Sequence, residues 1–313
     1  MVAITRQTSG LAILILLTTI VLCTIRLQLH PFAAESAVCS NGVPIWECIV
    51  SAVLLFATAI VVNRTAVKMG ILGGFGTLPV SLYGFMACGI LLSPQMLTAS
   101  AAGLMTALGI MFLLRVMHIF GDKESVFTGT LFLGVAAVIY PPAAVLGAAI
   151  PIAIFVAPLN IRQTILAIVG WVLPIAAVSY VNWYLGGEIT ETVVGMWQQI
   201  TELSNIPLSP LPIVTMVIAA VVAILILIGV IMSISYRYTL LVSVRKCIEM
   251  EVLLTMVSIA AFFMPGCNIT ILPVVSVPVS VMLAFTLERL NNRWANYLYG
   301  GVVALVIIHL FVY

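Results

Sequence analysis

The sequence predicts an all-α fold, a polytopic bundle of transmembrane helices, and three observations carry that prediction. First, 63% of the 313 residues are hydrophobic and 7% are charged, against about 25% charged in an average soluble domain. A water-soluble globule of this length still needs a polar skin, so the surplus apolar surface has to face lipid. Second, runs such as Val217 to Ile231 are apolar on every face, which excludes the alternating strands of a β-barrel. Third, no charge lies between Lys68 and Arg115, between Glu124 and Arg162, or between Glu251 and Glu288.

Those uncharged blocks determine how the chain turns. Each has more than 35 residues and as one helix would exceed about 50 Å, against a hydrocarbon core of about 30 Å. Each must therefore fold back, and turn residues sit near the midpoints: Ser93-Pro94, Pro141-Pro142 and Pro265-Gly266. The expected spans are 10–27, 45–62, 77–92, 98–116, 126–140, 143–157, 164–184, 211–233, 252–264, 269–286 and 294–313, eleven in a single integral membrane domain over residues 1–313. The halves of the hairpins 126–157 and 252–286 are short and either span or re-enter, the latter only where other helices shield the backbone.

Lysine and arginine orient the bundle. With the N-terminus inside, Arg6, Arg64, Lys68, Arg115, Lys123, Arg162, Arg237, Arg245, Lys246, Arg289 and Arg293 all fall on the cytoplasmic side, and Arg26 alone falls outside. The positive-inside rule thus predicts N-in and C-out. In the outer loop 188–203, Ile189, Val193, Trp197, Ile200 and Leu203 recur at helical spacing opposite Glu191, Gln198 and Glu202, the pattern of an amphipathic helix on the outer interface. Residues 236–251 mix Arg237, Arg245 and Lys246 with Leu240, Leu241, Val244 and Ile248, and read as a cytoplasmic interfacial helix near anionic headgroups.

The same residues exclude several functions. A net charge of +2 without a basic run gives nucleic acid no footing. Six cysteines without a CxxC pair, and no Walker, HExxH, GxSxG, haem-ligand or dinucleotide motif, leave no expected metal or cofactor. A disulfide among Cys39, Cys48 and Cys267, all on the outer side, is compatible with the topology. The apolar run Leu11 to Ile25 behind Arg6 has a signal-peptide shape, but ahead of so many spans it is expected to stay as the first helix. The glycine-rich stretch Gly70 to Gly76 lacks a Walker lysine and reads as a flexible entry to the next span. A midplane nearly free of charge and the lack of an internal repeat argue against ion coupling.

Few ionisable groups come near the apolar core, where such groups are functional suspects. Arg26 closes the first span with His30 one turn beyond, Glu35 follows, and Glu47 opens the second span behind Trp46. A loop of under twenty residues joins these ends, so Arg26, His30, Glu35 and Glu47 can converge on one outer pocket. There Arg26, His30 and Glu35 would bind an anionic headgroup, with Glu47 as a catalytic base. The alternative is that Arg26 snorkels to the interface and Glu47 is merely interfacial. Arg115 with His118 marks an inner boundary by the same reasoning, and His309 reads as a helix contact.

The stretch from Phe127 to Pro174, FTGTLFLGVAAVIYPPAAVLGAAIPIAIFVAPLNIRQTILAIVGWVLP, carries a resemblance. Its aromatic-small start, its Tyr-Pro turn and its Pro-Leu-Asn-x-Arg-x…Gly…Pro pattern resemble an uncharacterised family of roughly 300-residue inner-membrane proteins of the Bacteroidetes. Family members often have Asn after the Phe and Glu after the Arg, where this chain has Thr128 and Gln163. The resemblance implies a multi-pass protein of the bacterial inner membrane and transfers no catalytic residue. Short paired helices and acidic residues near the first outer loop are also similar to membrane glycosyltransferases that use polyprenyl-phosphate sugars, although those enzymes carry a longer acidic first loop. The expected function is a cell-envelope protein binding a membrane lipid or lipid-linked glycan at the outer leaflet. The alternatives are a non-enzymatic subunit that docks a membrane-protein partner, and a carrier for an uncharged or amphiphilic substrate.

Overall fold

The computed structural model describes residues 17–18, 45–73, 77–89, 96–117, 124–157, 159–201, 213–236, 238–262 and 271–312. Eleven α-helices and one 3₁₀ helix account for nearly all of them, and no strand occurs among the described residues. In chain order these are α1 (Ile45–Lys68), α2 (Leu78–Gly89), α3 (Met96–Met117), α4 (Ser125–Ile139), the 3₁₀ helix (Pro141–Ala148), α5 (Ala149–Val156), α6 (Ile161–Tyr184), α7 (Ile189–Thr201), α8 (Ile213–Ser235), α9 (Val242–Phe262), α10 (Leu272–Arg289) and α11 (Asn292–Val312). Ten of the eleven expected spans coincide with helices. The first, 10–27, lies outside the described residues except for Leu17 and Thr18.

Among the described residues four helices, α1, α3, α6 and α10, are long and apolar enough to cross a membrane. Apolar side chains also cover the exterior: Ile49 and Val53 on α1, Ile165, Ile168 and Val172 on α6, and Ile224, Leu227 and Ile231 on α8 are all exposed. A surface of that size is stable against lipid and not against water.

The core is organised around α10, whose residues 272–287 are all buried. Helices α1, α2, α3, α8, α9 and α11 pack around it. Without a hydrophobic effect between helices in lipid, close backbone approach at small residues has to hold such a bundle. Glycines supply it. A Cβ on Gly109 of α3 would lie 2.9 Å from the Gly129 carbonyl oxygen of α4, and one on Gly129 would lie 3.0 Å from that of Gly109. Gly103 meets the Pro273 carbonyl of α10, Gly170 of α6 meets Phe127 and Thr130 of α4, and Gly229 of α8 meets Thr286. Thr286 completes that last contact by donating to the Leu225 carbonyl at 3.3 Å.

Three particulars depart from the sequence expectation. The segment 236–251 is not a separate helix: residues 242–251 are the first half of α9, continuous with the expected short span 252–264. Its 21 residues extend about 31 Å, more than the expected 252–264 alone. The return limb 143–157 is divided, because Pro141-Pro142 start a 3₁₀ turn that passes into α5 at Ala149. A proline pair has no amide hydrogens to offer an α-helix and tolerates the tighter form at its start. The glycine-rich stretch begins as a helix stop rather than a flexible entry. Gly70 has φ +69°, the Ile71 amide donates to the Ala66 carbonyl and the Gly70 amide to the Val67 carbonyl, both at 3.1 Å. This is the Schellman pairing, and the left-handed residue it needs is glycine.

Candidate functional site

One end of the bundle collects the cations. The relative directions are fixed by contacts: Gly103 against Pro273 and Gly73 against Glu288 set α3 and α1 parallel to α10, while Leu114 against Cys247 and Gly70 against Val244 set α9 antiparallel to them. The C-terminal ends of α1, α3 and α10 and the N-terminal end of α9 therefore meet, bringing Arg64, Lys68, Arg115, Arg245, Lys246 and Arg289 to the same level. Here Glu288 of α10 accepts a hydrogen bond from the Gly73 amide at 2.7 Å, clamping the α1–α2 connection to the central helix. Arg289 lies over the rings of Tyr236 and Phe285 at 5.3 and 5.5 Å, a cation–π arrangement that ties the end of α8 to α10.

At the opposite end stands Glu47, half-buried in the first turn of α1 between exposed Trp46 and buried Cys48. Its expected companions Arg26, His30 and Glu35, together with Cys39 and Cys267, lie outside the described residues. His118 also lies outside them, as does the side chain of His309. Arg115 stacks on Phe112 at 5.0 Å.

Helix α7 covers residues 189–201 of the expected 188–203 and has no buried residue. Ile189, Val193 and Trp197 are exposed along one face. Its entry turn is built by Gly186 at φ +95° and by Asn182, whose amide donates to the Glu191 carboxylate at 3.1 Å. Tyr180, Trp183 and Tyr184 are exposed on the adjoining end of α6, so aromatic rings surround the turn. Helix α7 packs on the 3₁₀ helix. Next to that contact lies an apolar cleft of about 390 Å³, lined by Ala144, Gly147, Ile150, Pro151, Ile154, Ile168 and Trp171. That volume is within the usual range of small-molecule sites, about 300–1,000 Å³. Trp171 fits because residue 147 has no side chain: a Cβ there would lie 3.0 Å from the indole nitrogen. The indole N–H is buried without a hydrogen-bond partner, the single polar side-chain group of the lining.

Sequence reasoning missed Glu251. Placed at the edge of a charged interfacial segment, it is instead 1% exposed, and its Oε2 has no hydrogen-bond partner in the protein. The signal was available in the spacing. Ser243, Cys247, Glu251, Thr255 and Ser258 recur every three or four residues and all are buried, whereas Met256 on the other side of α9 is exposed.

Comparison of the chain with protein-family models, with curated proteins and with solved structures finds no match. What fold and site define over the described residues is thus a class: a helical protein with four helices able to cross a membrane, an apolar cleft and a buried carboxyl.

Proposed function

We propose that this chain is a multi-pass protein of the bacterial inner membrane, N-terminus inside, which binds the apolar chain of a lipid or lipid-linked glycan in the outer leaflet. The observation that carries the reading is the cleft beside α7. It lies between the 3₁₀ helix and α5 on one side and α6 on the other, beside the exposed apolar residues Ile165, Ile168 and Val172 of α6, which supports entry of an apolar chain from the bilayer. Helix α7 and the aromatic turn before it would lie at headgroup depth, as amphipathic helices and Tyr or Trp side chains do at such interfaces. The collection of cations at the other end supports the orientation. The candidates from sequence form a second proposed outer site, with Arg26, His30 and Glu35 binding an anionic headgroup by the guanidinium fork and its neighbours and Glu47 as the candidate base. Helix α1, which carries Glu47, packs on α2, α3 and α10 rather than on the elements that line the cleft.

The test is photocrosslinking in vesicles of phospholipid carrying a diazirine on one acyl chain. Crosslinks should concentrate on Ile150, Ile154, Ile168 and Trp171 relative to the exposed residues Ile224 and Leu227 of α8. Ala144→Trp, which fills the cleft, should remove the first set and leave the second. Competition by a polyprenyl phosphate beyond that of a phospholipid of equal charge would assign the site to lipid-linked glycans. Labelling of the cleft no stronger than that of α8, or unaffected by Ala144→Trp, overturns the reading.

A further inference from the structure

The buried stripe on α9 has no place in lipid binding at the cleft, yet it is the most polar line through the core. Along it Ser243, Cys247, Glu251, Thr255 and Ser258 are each 5% exposed or less. Two orphans accompany it: Glu251 Oε2 and Ser258 Oγ are buried with no partner in the protein, as is Thr106 Oγ1 on the facing helix α3. The register comes from Cys247, whose thiol donates to the Leu114 carbonyl of α3 at 3.8 Å. Counted antiparallel from that contact, Glu251 is level with Ile110 and Thr255 with Thr106. Glu251 therefore lies about 6 Å deeper than Cys247, at about 1.5 Å per residue, on the core side of the level of Arg115.

A carboxylate at such a position is strongly disfavoured unless something neutralises it. The elements packed on α9 offer no counter-ion at that depth. The 3₁₀ helix and α5 contain no charged residue, and the described part of α8 contains none; the charges of α3 and α10 are Arg115, Glu288 and Arg289, all at the basic end. On α9 itself Arg245 is engaged with Glu249 at 3.9 Å, Lys246 is near the same end, and Cys247 is the titratable neighbour one turn away.

We propose that Glu251 is a cation-exchange site, its carboxyl neutralised by a proton or a small monovalent metal ion, with the hydroxyls of Thr255, one turn on, and of Thr106, level with Thr255, as the nearest further oxygens. The partnerless Thr106 hydroxyl has lone pairs to offer such a cation, and Thr255, whose hydroxyl donates to the Glu251 backbone carbonyl at 2.7 Å, keeps its own lone pairs free. The site gives the protein an ion-linked step that the uncharged midplane expected from sequence would forbid.

The experiment is modification of purified protein in nanodiscs by dicyclohexylcarbodiimide, to which a protonated carboxyl in apolar surroundings gives its proton and adds through oxygen, the adduct rearranging to a stable N-acylurea read by mass spectrometry at Glu251. Labelling that falls by about tenfold per pH unit once the group ionises, and is indifferent to sodium chloride, identifies the proton. Protection by sodium but not by choline at constant pH identifies the metal ion. Infrared difference spectra of wild type against Glu251→Gln, recorded across the same pH and sodium series, provide a readout that does not depend on reagent access. A carboxyl band unmoved by either variable overturns the proposal, whatever the labelling. Should Glu251→Gln fail to fold, the pH and sodium dependence of the wild-type spectrum decides alone.

Discussion

Glu288 shows how one side chain can hold a turn that the sequence presents as loose. Its carboxylate receives the Gly73 amide, and a Cβ on residue 73 would lie 2.6 Å from the same oxygen, so a side chain there would have to displace the Glu288 carboxylate. A hydrogen bond to a charged acceptor contributes about 1.5–3 kcal/mol, reduced at this half-buried position by solvent. Glu288→Ala should therefore lower the thermal midpoint in detergent and speed amide exchange at Gly73. Glu288→Gln, which keeps an oxygen acceptor, should do less. Equal exchange at Gly73 in all three proteins would show the clamp to be idle. Gln163 carries a related lesson. From sequence it is a departure from a family pattern; in the fold its side-chain oxygen accepts the Asn160 amide at 3.0 Å and closes the start of α6. Glutamine performs that capping as glutamate would, so the difference leaves the local structure intact.

At the scale of elements, helical period was readable wherever one face differed from the other. That is why α7 emerged from Ile189, Val193 and Trp197 against Glu191 and Gln198. Spin labels at Val193 and Ile200 should be shielded from an aqueous quencher in vesicles, while labels at Glu191 and Gln198 should not. Equal accessibility around the helix would make the segment a solvated arm. The period failed on α9 for a physical reason. Charged residues near its start suggested a surface, but Arg245 and Lys246 are only partly covered while Cys247 and Glu251, both beyond them, point inward. Composition averages over both faces, and only the spacing of the polar residues separates them.

For the whole molecule, the prediction concerns sidedness. Cysteines placed at Gln199 and Arg245, in a background without native cysteines, should differ in intact spheroplasts: an impermeant thiol reagent should reach residue 199 and not residue 245. Labelling of residue 245 from outside would reverse the bundle and place the cleft's neighbouring helix in the cytoplasm. The two positions test the arrangement directly, because α7 sits at the end of α6 away from Arg162, whereas Arg245 belongs to the end that gathers the other cations.

The sequence by itself determined that this protein is helical and apolar beyond what water tolerates, and where most of its described helices run. Those properties are local, arising from hydrophobic run lengths against a bilayer's thickness and from proline and glycine at the breaks. Tertiary structure alone decided that α10 is the hub, that Trp171 borders a cleft, and that Glu251 is buried without a partner. Each of these depends on which helices become neighbours. Glycines as far apart as Gly109 and Gly129, or a carbonyl at Pro273 meeting Gly103, set that choice by close approach of backbones. No periodicity within a single helix encodes its partner.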